Sequence, residues 1–154
     1  MEHASRNDSL GFAQRTRENL EFIEKASNCG HHVHFVTQLI NSLLGLIVFP
    51  WERQIVERTK DLHLDALAQQ GWPQFEVITG KCETLYDLLN RLRNAAAHSW
   101  ITFSSDSLRL DEVEITFEDR KTKKLPPHWC ACFAAQDLRT LCLRFTALID
   151  DTIG

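Results

Sequence analysis

The sequence has few of the features that mark a secreted or membrane protein. Its first residues are polar and lack the apolar segment of a secretory signal. Its five cysteines form an odd, scattered set: Cys29, Cys82, Cys130, Cys132 and Cys142. We therefore expect reduced thiols and a cytoplasmic location. The most apolar stretch, Leu39 to Trp51, is too short to cross a membrane and is interrupted by Asn41 and Ser42, so we predict no membrane span.

The sequence also lacks an excess of positive charge and a complete metal or phosphate-loop motif. A net charge of −4 argues against a broad nucleic-acid surface, so any RNA contact must be a local basic patch. Thr79-Gly80-Lys81 lacks the rest of a phosphate loop. A zinc site at His128, Cys130 and Cys132 would need remote partners, with Cys29, His31, His32 and His34 as candidates. The Cys-x-Cys spacing is tight for zinc, and free cysteines are common in cores. We therefore predict no metal and no cofactor.

The 154 residues suit a single domain with its own core. Apolar periodicity and stop signals predict helices over Ser9–Ala26, His31–Phe49, Glu83–His98 and Ala134–Asp150, with a mixed helix or loop over Glu52–Gln70. The first helix has a predicted apolar face of Phe12, Leu20, Ile23 and Phe22. Residues 1–8 are predicted to be flexible.

Period-two alternation predicts a β-hairpin after the third long helix. Its two strands are Trp100–Phe103 and Val113–Phe117, separated by a break at Ser104-Ser105-Asp106. We assign residues 100–124 to an insertion made of this hairpin and a basic loop. The predicted fold class is mainly α, a bundle of four to five helices with a small β-hairpin insertion.

The stretch from Asn90 to Trp100 carries the residue types that metal-free RNA cleavage needs. A histidine such as His98 can accept and return a proton near neutral pH. An arginine such as Arg93 offers a permanent, planar set of donors to phosphate oxygens. Asn94 lies one turn before His98 and shares its helix face. The alternative interpretation is structural, because cations near a helix C-terminus often stabilise the helix dipole or cap the helix.

On a regular helix, Arg93 and His98 point about 140° apart and do not converge. Two interpretations follow. Either the helix loosens near Ala97 and His98, or the site combines residues from two protomers.

The pattern Arg93-x4-His98, with a polar residue directly after the arginine, resembles the HEPN superfamily. The stretch Thr37–Glu52 is also similar to plasmid- and chromosome-encoded HEPN proteins. The resemblance implies a helical, homodimeric ribonuclease of a toxin or phage-defence system with a composite site. Arg93 would then bind the scissile phosphate, His98 would be the general base and Asn94 would orient one of them. The product would be a 2′,3′-cyclic phosphate. In some HEPN toxins, the residue two positions after the histidine is a tyrosine that a partner antitoxin modifies. The residue at that position here is Trp100.

Further residues are candidates for substrate binding: Gln38, Asn41, Arg91, Lys121 and Lys123. Gln38 and Asn41 belong to a polar stripe with His34 and Gly45, which faces either a polar cleft or a partner inside the core. The lysines lie in the run from Arg120 to Lys124, which is either a solvated loop or a surface that attracts RNA. Two other functions stay open: a catalytically inactive module that binds a nucleotide or a partner protein, and a scaffold for a larger defence complex.

Overall fold

The computed structural model describes residues 8–48 and 55–153. Its helices are α1 (Asp8–Asn28), α2 (Phe35–Val48), α3 (Ile55–Thr59), α4 (Leu64–Gln69), α5 (Leu85–Ala97) and α6 (Ala135–Ile153). Its strands are β1 (Glu76–Thr79), β2 (Ile101–Phe103), β3 (Glu114–Asp119) and β4 (Trp129–Ala134). The predicted mainly helical class with a β insertion is confirmed.

The three longest helices, α1, α2 and α6, pack on one another and form most of the core. Helix α2 is the most apolar of them, and Leu39, Leu43 and Leu46 are fully buried along it. Helices α1 and α2 approach closely at Gly45, where a Cβ atom would lie 2.9 Å from the Phe12 ring. None of the helices in residues 8–48 and 55–153 has both the length and the apolar character to span a membrane.

The predicted apolar face of α1 is wrong at one residue. Leu20 is buried and Ile23 packs against the core, but Phe22 is 71% exposed. At 100° per residue, Phe22 lies 200° from Leu20, or about 160° by the shorter way around the helix axis, so it cannot share the face of Leu20. Phe22 is therefore an exposed apolar side chain on α1.

The sheet is larger than the predicted hairpin. Strands β2 and β3 form that hairpin, pairing Ile101 with Phe117. Strand β4 then pairs with β3, and β1 pairs with β4, which gives an antiparallel sheet in the order β1-β4-β3-β2. One face of the sheet carries the buried Phe117, Trp129 and Phe133 and packs toward the helices. Strands β1 and β4 were missed, and β4 contains the Cys-x-Cys segment.

The predicted element ends agree to within a few residues, apart from the second helix. Helix α2 begins at Phe35 rather than at His31, because Gly30 adopts a left-handed backbone (φ 83°) and residues 31–34 have no regular secondary structure. The mixed segment contains the short helices α3 and α4. Three parts of these predictions lie outside the described residues: the end of the second helix at Phe49, the start of the mixed segment at residues 52–54, and residues 1–7.

Candidate active site at the end of helix α5

Helix α5 begins with a complete capping box. The Thr84 side chain accepts a hydrogen bond from the Asp87 backbone N–H (3.2 Å), and the Asp87 carboxylate accepts one from the Thr84 backbone N–H (3.1 Å). Such reciprocal bonds satisfy two N–H groups that otherwise lack partners at a helix start. Five apolar residues hold one side of the helix in the core: Leu85, Leu88, Leu89, Leu92 and Ala95. The polar candidates lie around the rest of the helix surface.

Helix α5 ends just before the candidate base. His98 is the C-terminal cap, and its N–H still bonds the Asn94 carbonyl oxygen (3.2 Å). Ser99 then takes a left-handed backbone (φ 57°), and Trp100 N–H bonds back to the Ala95 carbonyl oxygen (2.8 Å). This is the usual αL ending of a helix, with serine where glycine is preferred. Helix α5 is regular as far as Ala97, so of the two interpretations the structure does not show the loosened helix.

The His98 ring is exposed on one side and stacked on Trp100 on the other. The two ring centroids lie 4.6 Å apart with an interplanar angle of 26°. Trp100 is itself fixed to the sheet, because its carbonyl oxygen accepts a hydrogen bond from Glu118 N–H (3.0 Å). The orientation of the imidazole thus depends on an aromatic side chain at the junction of helix and sheet. The sequence identifies Trp100 only as the first residue of a predicted strand and as a departure from a family pattern, so this contact was missed.

The regular geometry of α5 sorts the polar residues onto different faces. Arg91, Asn94 and His98 lie within about 60° of one another around the helix axis. Arg93 lies about 140° from His98 on the same scale. It is half-buried and interacts with other residues of the chain. The helix therefore brings Asn94 and His98 together on one side and directs Arg93 to another.

A buried carboxylate from the sheet meets the face of Arg91 and Asn94. Asp119, at the end of β3, is 3% exposed. Its Oδ2 atom lies 2.8 Å from Arg91 Nη1 and 3.2 Å from Asn94 Nδ2. His128, just before β4, places Nε2 2.7 Å from the same Arg91 Nη1 and 3.4 Å from Asp119 Oδ2. We call Arg91, Asn94, Asp119 and His128 the polar cluster.

The polar cluster also forms the base of the loop that joins β3 to β4. His128 N–H bonds the Asp119 carbonyl oxygen (3.0 Å) and closes the loop of residues 120–127. Arg120 is used within this loop, since it bonds Glu118 (2.6 Å) and the Leu125 carbonyl oxygen (3.1 Å). The loop's lysines (Lys121, Lys123 and Lys124) are all exposed. The fold thus anchors the predicted basic loop beside Asn94, one helical turn from His98.

The polar stripe of α2 does not form a polar core pair. Gln38 donates to Ser42 in its own helix (3.2 Å), and Asn41 is exposed. Gly45 faces Phe12 of α1, and His34 is exposed at the start of the helix. The stripe therefore lies along the edge of α2 next to α1 and solvent.

The cysteines are neither bridged nor gathered with other ligands. All five are free thiols. Cys130 and Cys132 lie on the sheet face opposite Trp129, whereas His128 contacts Arg91 and Asp119. Across residues 8–48 and 55–153, no three His, Cys, Asp or Glu side chains are placed to share a metal ion. Burial and the nearby Asp87 carboxylate raise the pKa of Cys82 to about 12, despite the opposing effect of Arg91. Cys82 is therefore a neutral thiol at physiological pH.

Sequence reasoning missed Asp119 as a site residue. The predicted second strand stopped at Phe117, two residues short of it. The available signal was the alternation of Ile115, Phe117 and Asp119, which puts a carboxylate on the same strand face as two apolar residues. A carboxylate in such a position needs partners. His128 was noted only as a possible zinc ligand.

These features define a class of protein: a mainly helical domain in which a capped helix presents arginine, asparagine and histidine in the Arg-x4-His pattern. The chain belongs to the family described as HEPN pEK499 p136, whose model matches residues 1–154, the whole sequence. The resemblance to the HEPN superfamily is thereby confirmed. No curated protein and no solved structure shows a significant match to the chain.

Proposed function

We propose that the protein is a metal-independent endoribonuclease that works as a homodimer, with Arg93, Asn94 and His98 at its active site. The observation that carries this proposal is the arrangement at the end of α5. His98 is exposed beside Asn94 and oriented by Trp100, in a chain that belongs to the HEPN superfamily. A role in a toxin or phage-defence system of the cytoplasm, with an antitoxin or another partner protein, is part of the same proposal.

In the proposed reaction, His98 removes the proton of a ribose 2′-hydroxyl group. The 2′-oxygen attacks the adjacent phosphorus as the bond from phosphorus to the 5′-oxygen breaks, which leaves a 2′,3′-cyclic phosphate. The net reaction moves one proton from the 2′-oxygen to the 5′-oxygen, and an imidazole can carry it. Arg93 stabilises the charge that grows on the phosphate oxygens.

The geometry of α5 supports a site shared between two protomers. Arg93 and His98 of one chain point about 140° apart on a helix that stays regular, so one chain alone does not direct both at one phosphate. A two-fold dimer that pairs α5 with its copy supplies Arg93 from one protomer and His98 from the other. A two-fold axis creates two such sites in each dimer.

The basic loop and Arg91 are the proposed contacts to the RNA backbone. Lys121 and Lys123 are exposed on a loop whose base contacts Asn94 through Asp119. Arg91 uses Nη1 for Asp119 and His128, so the N–H groups on Nε and Nη2 are the ones we assign to phosphate. Gln38 and Asn41 stay predictions as substrate contacts on α2. Backbone contacts of this kind make the affinity for RNA fall as the salt concentration rises.

The decisive experiment is RNA cleavage in EDTA by the wild type, Arg93→Ala and His98→Ala. We expect cleavage by the wild type and loss of cleavage in both variants. His31→Ala and Arg58→Ala are matched controls, because both residues are exposed and lie outside α5. Both controls should cleave at the wild-type rate. Cleavage that EDTA stops would contradict the metal-independent mechanism.

Mixing the two inactive variants tests the shared site. If one site uses Arg93 of one chain and His98 of the other, a mixed dimer has one intact site and one site with both changes. Half of the dimers are mixed after exchange, so about a quarter of the wild-type activity should return. No recovery in dimers shown to exchange subunits would contradict the shared site. If no form cleaves RNA but a nucleotide raises the melting temperature, the protein is instead a binding module.

A further inference from the structure

Asp119 places a charged carboxylate at a buried position, where a charged side chain is unexpected. Ile115 and Phe117 precede it on the same strand face, and both are fully buried. A carboxylate in that position loses most of its hydration and is tolerated only with close donors. Its partners, Arg91 and Asn94, both come from the face of α5 that continues to His98. Asp119 therefore links the sheet to the face of α5 that carries the candidate site.

The donor pattern around Asp119 follows from what each group can do. An arginine only donates, so Arg91 Nη1 donates to both Asp119 Oδ2 and His128 Nε2. His128 Nε2 then accepts, and its 3.4 Å approach to Asp119 Oδ2 is not a hydrogen bond. The imidazole proton lies on Nδ1, which is buried without a partner in the part of the chain that the structure describes. The donors to Asp119 are therefore Arg91 and Asn94.

This pattern sets the orientation of the Asn94 amide. A carboxylate only accepts, so the amide nitrogen must face Asp119, at 3.2 Å. The Asn94 carbonyl oxygen is consequently turned away from Asp119. In this orientation Asn94 offers an acceptor to an N–H or O–H group, such as the His98 imidazole or a ribose hydroxyl.

We propose that Asp119 is a positioning residue of the active site, which acts through Asn94 without touching the substrate. Asp119 accepts a hydrogen bond from the Asn94 amide nitrogen, so the Asn94 amide oxygen points away and can accept a hydrogen bond from another group. Through Arg91 and His128, it also fastens the base of the basic loop to α5. The catalytic consequence rests on the proposed ribonuclease function, whereas the orientation of Asn94 does not.

The activity test compares Asp119→Asn with Glu114→Gln. Each substitution removes one negative charge from β3, but Glu114 is exposed at the other end of the strand. Asp119→Asn keeps the side-chain shape and lets the Asn94 amide turn over. We expect kcat to fall about ten- to hundredfold, as for other misplaced active-site groups, with KM nearly unchanged. Glu114→Gln should keep the wild-type kcat.

A double-mutant cycle separates positioning from a general loss of structure. If Asp119 acts through Asn94, Asp119→Asn should have almost no further effect on kcat in an Asn94→Ala background. Losses that multiply in the double variant would overturn the proposal. So would a kcat for Asp119→Asn equal to that of the wild type.

A spectroscopic test needs no catalysis, and its first part needs only the wild-type protein. In the wild-type protein, the side-chain amide protons of Asn94 should exchange with water more slowly than those of Asn28, which is exposed on α1. The NMR signals of the Asn94 amide should move in Asp119→Asn and stay in place in Glu114→Gln. Equal exchange for Asn94 and Asn28 would overturn the orientation by Asp119. If the Asn94 side-chain amide protons exchange slowly but the protein cleaves no RNA, the proposed ribonuclease function is refuted and the orientation of Asn94 by Asp119 is not.

Discussion

Replacing Gly80 by alanine tests how closely β1 approaches the polar cluster. Gly80 follows β1 with a left-handed backbone (φ 82°), and a Cβ atom there would lie 2.5 Å from the His128 carbonyl oxygen. That oxygen belongs to the backbone of the residue whose N–H closes the loop between β3 and β4. It therefore cannot move aside as the end of a flexible side chain would.

The expected cost of Gly80→Ala has two parts. A left-handed backbone costs a non-glycine residue about 1–2 kcal/mol, and forced overpacking adds about 1–3 kcal/mol. Alanine recovers about 0.4–1 kcal/mol by restricting the unfolded chain. We therefore expect Gly80→Ala to lower the free energy of unfolding by about 1–5 kcal/mol.

Gly30→Ala is the matched control for the backbone part alone. Gly30 has nearly the same backbone angle (φ 83°), but nothing lies within 4 Å of its Cβ position. Its expected cost is about 1 kcal/mol or less. Urea unfolding followed by circular dichroism measures both variants, with the denaturant slope as a check on two-state behaviour. Equal losses in the two variants would refute the close approach of Gly80 to His128.

Two further predictions concern the capping of α5 and the buried thiols. Thr84→Ala removes the side-chain half of the capping box with Asp87 and should lower the free energy of unfolding by about 1 kcal/mol; a thermal melt that does not shift would contradict the cap. Alkylation of the native protein at pH 8 should modify the exposed Cys29 first and leave Cys142 unmodified, because burial raises the pKa of the Cys142 thiol and blocks access to it. Mass spectrometry of the labelled peptides measures this, and labelling of Cys142 in the native protein would contradict its burial.

The helices could be predicted from the sequence because each carries its own signal. Apolar residues at helical spacing indicate α5, and its observed ends are set by two local features, the Thr84 cap and the left-handed backbone of Ser99. Strand β4 could not be predicted in the same way. Its two alanines have little preference for strands, Trp129 and Phe133 alone favour one, and β3 and β1 pair with it on either side.

The residues of the candidate site also differ in whether the sequence alone could identify them. Arg93, Asn94 and His98 are neighbours in sequence, so a motif suffices to select them. Asp119 joins Asn94 across 25 positions of the chain, and that contact depends on the register of β3 and on where its loop closes. Such a long-range contact leaves no local pattern beyond one carboxylate on an apolar strand face.

The order of the elements along the chain also determines when the polar cluster can form during synthesis. Helix α1 packs against α6, and Arg17 bonds Asp150 across 133 positions. The polar cluster, likewise, cannot form before His128 has been made. Contacts of such sequence separation form late, after most of the chain is available. Under the proposed ribonuclease function, the site would assemble only after the ribosome has passed His128, so a shorter nascent chain would be inactive.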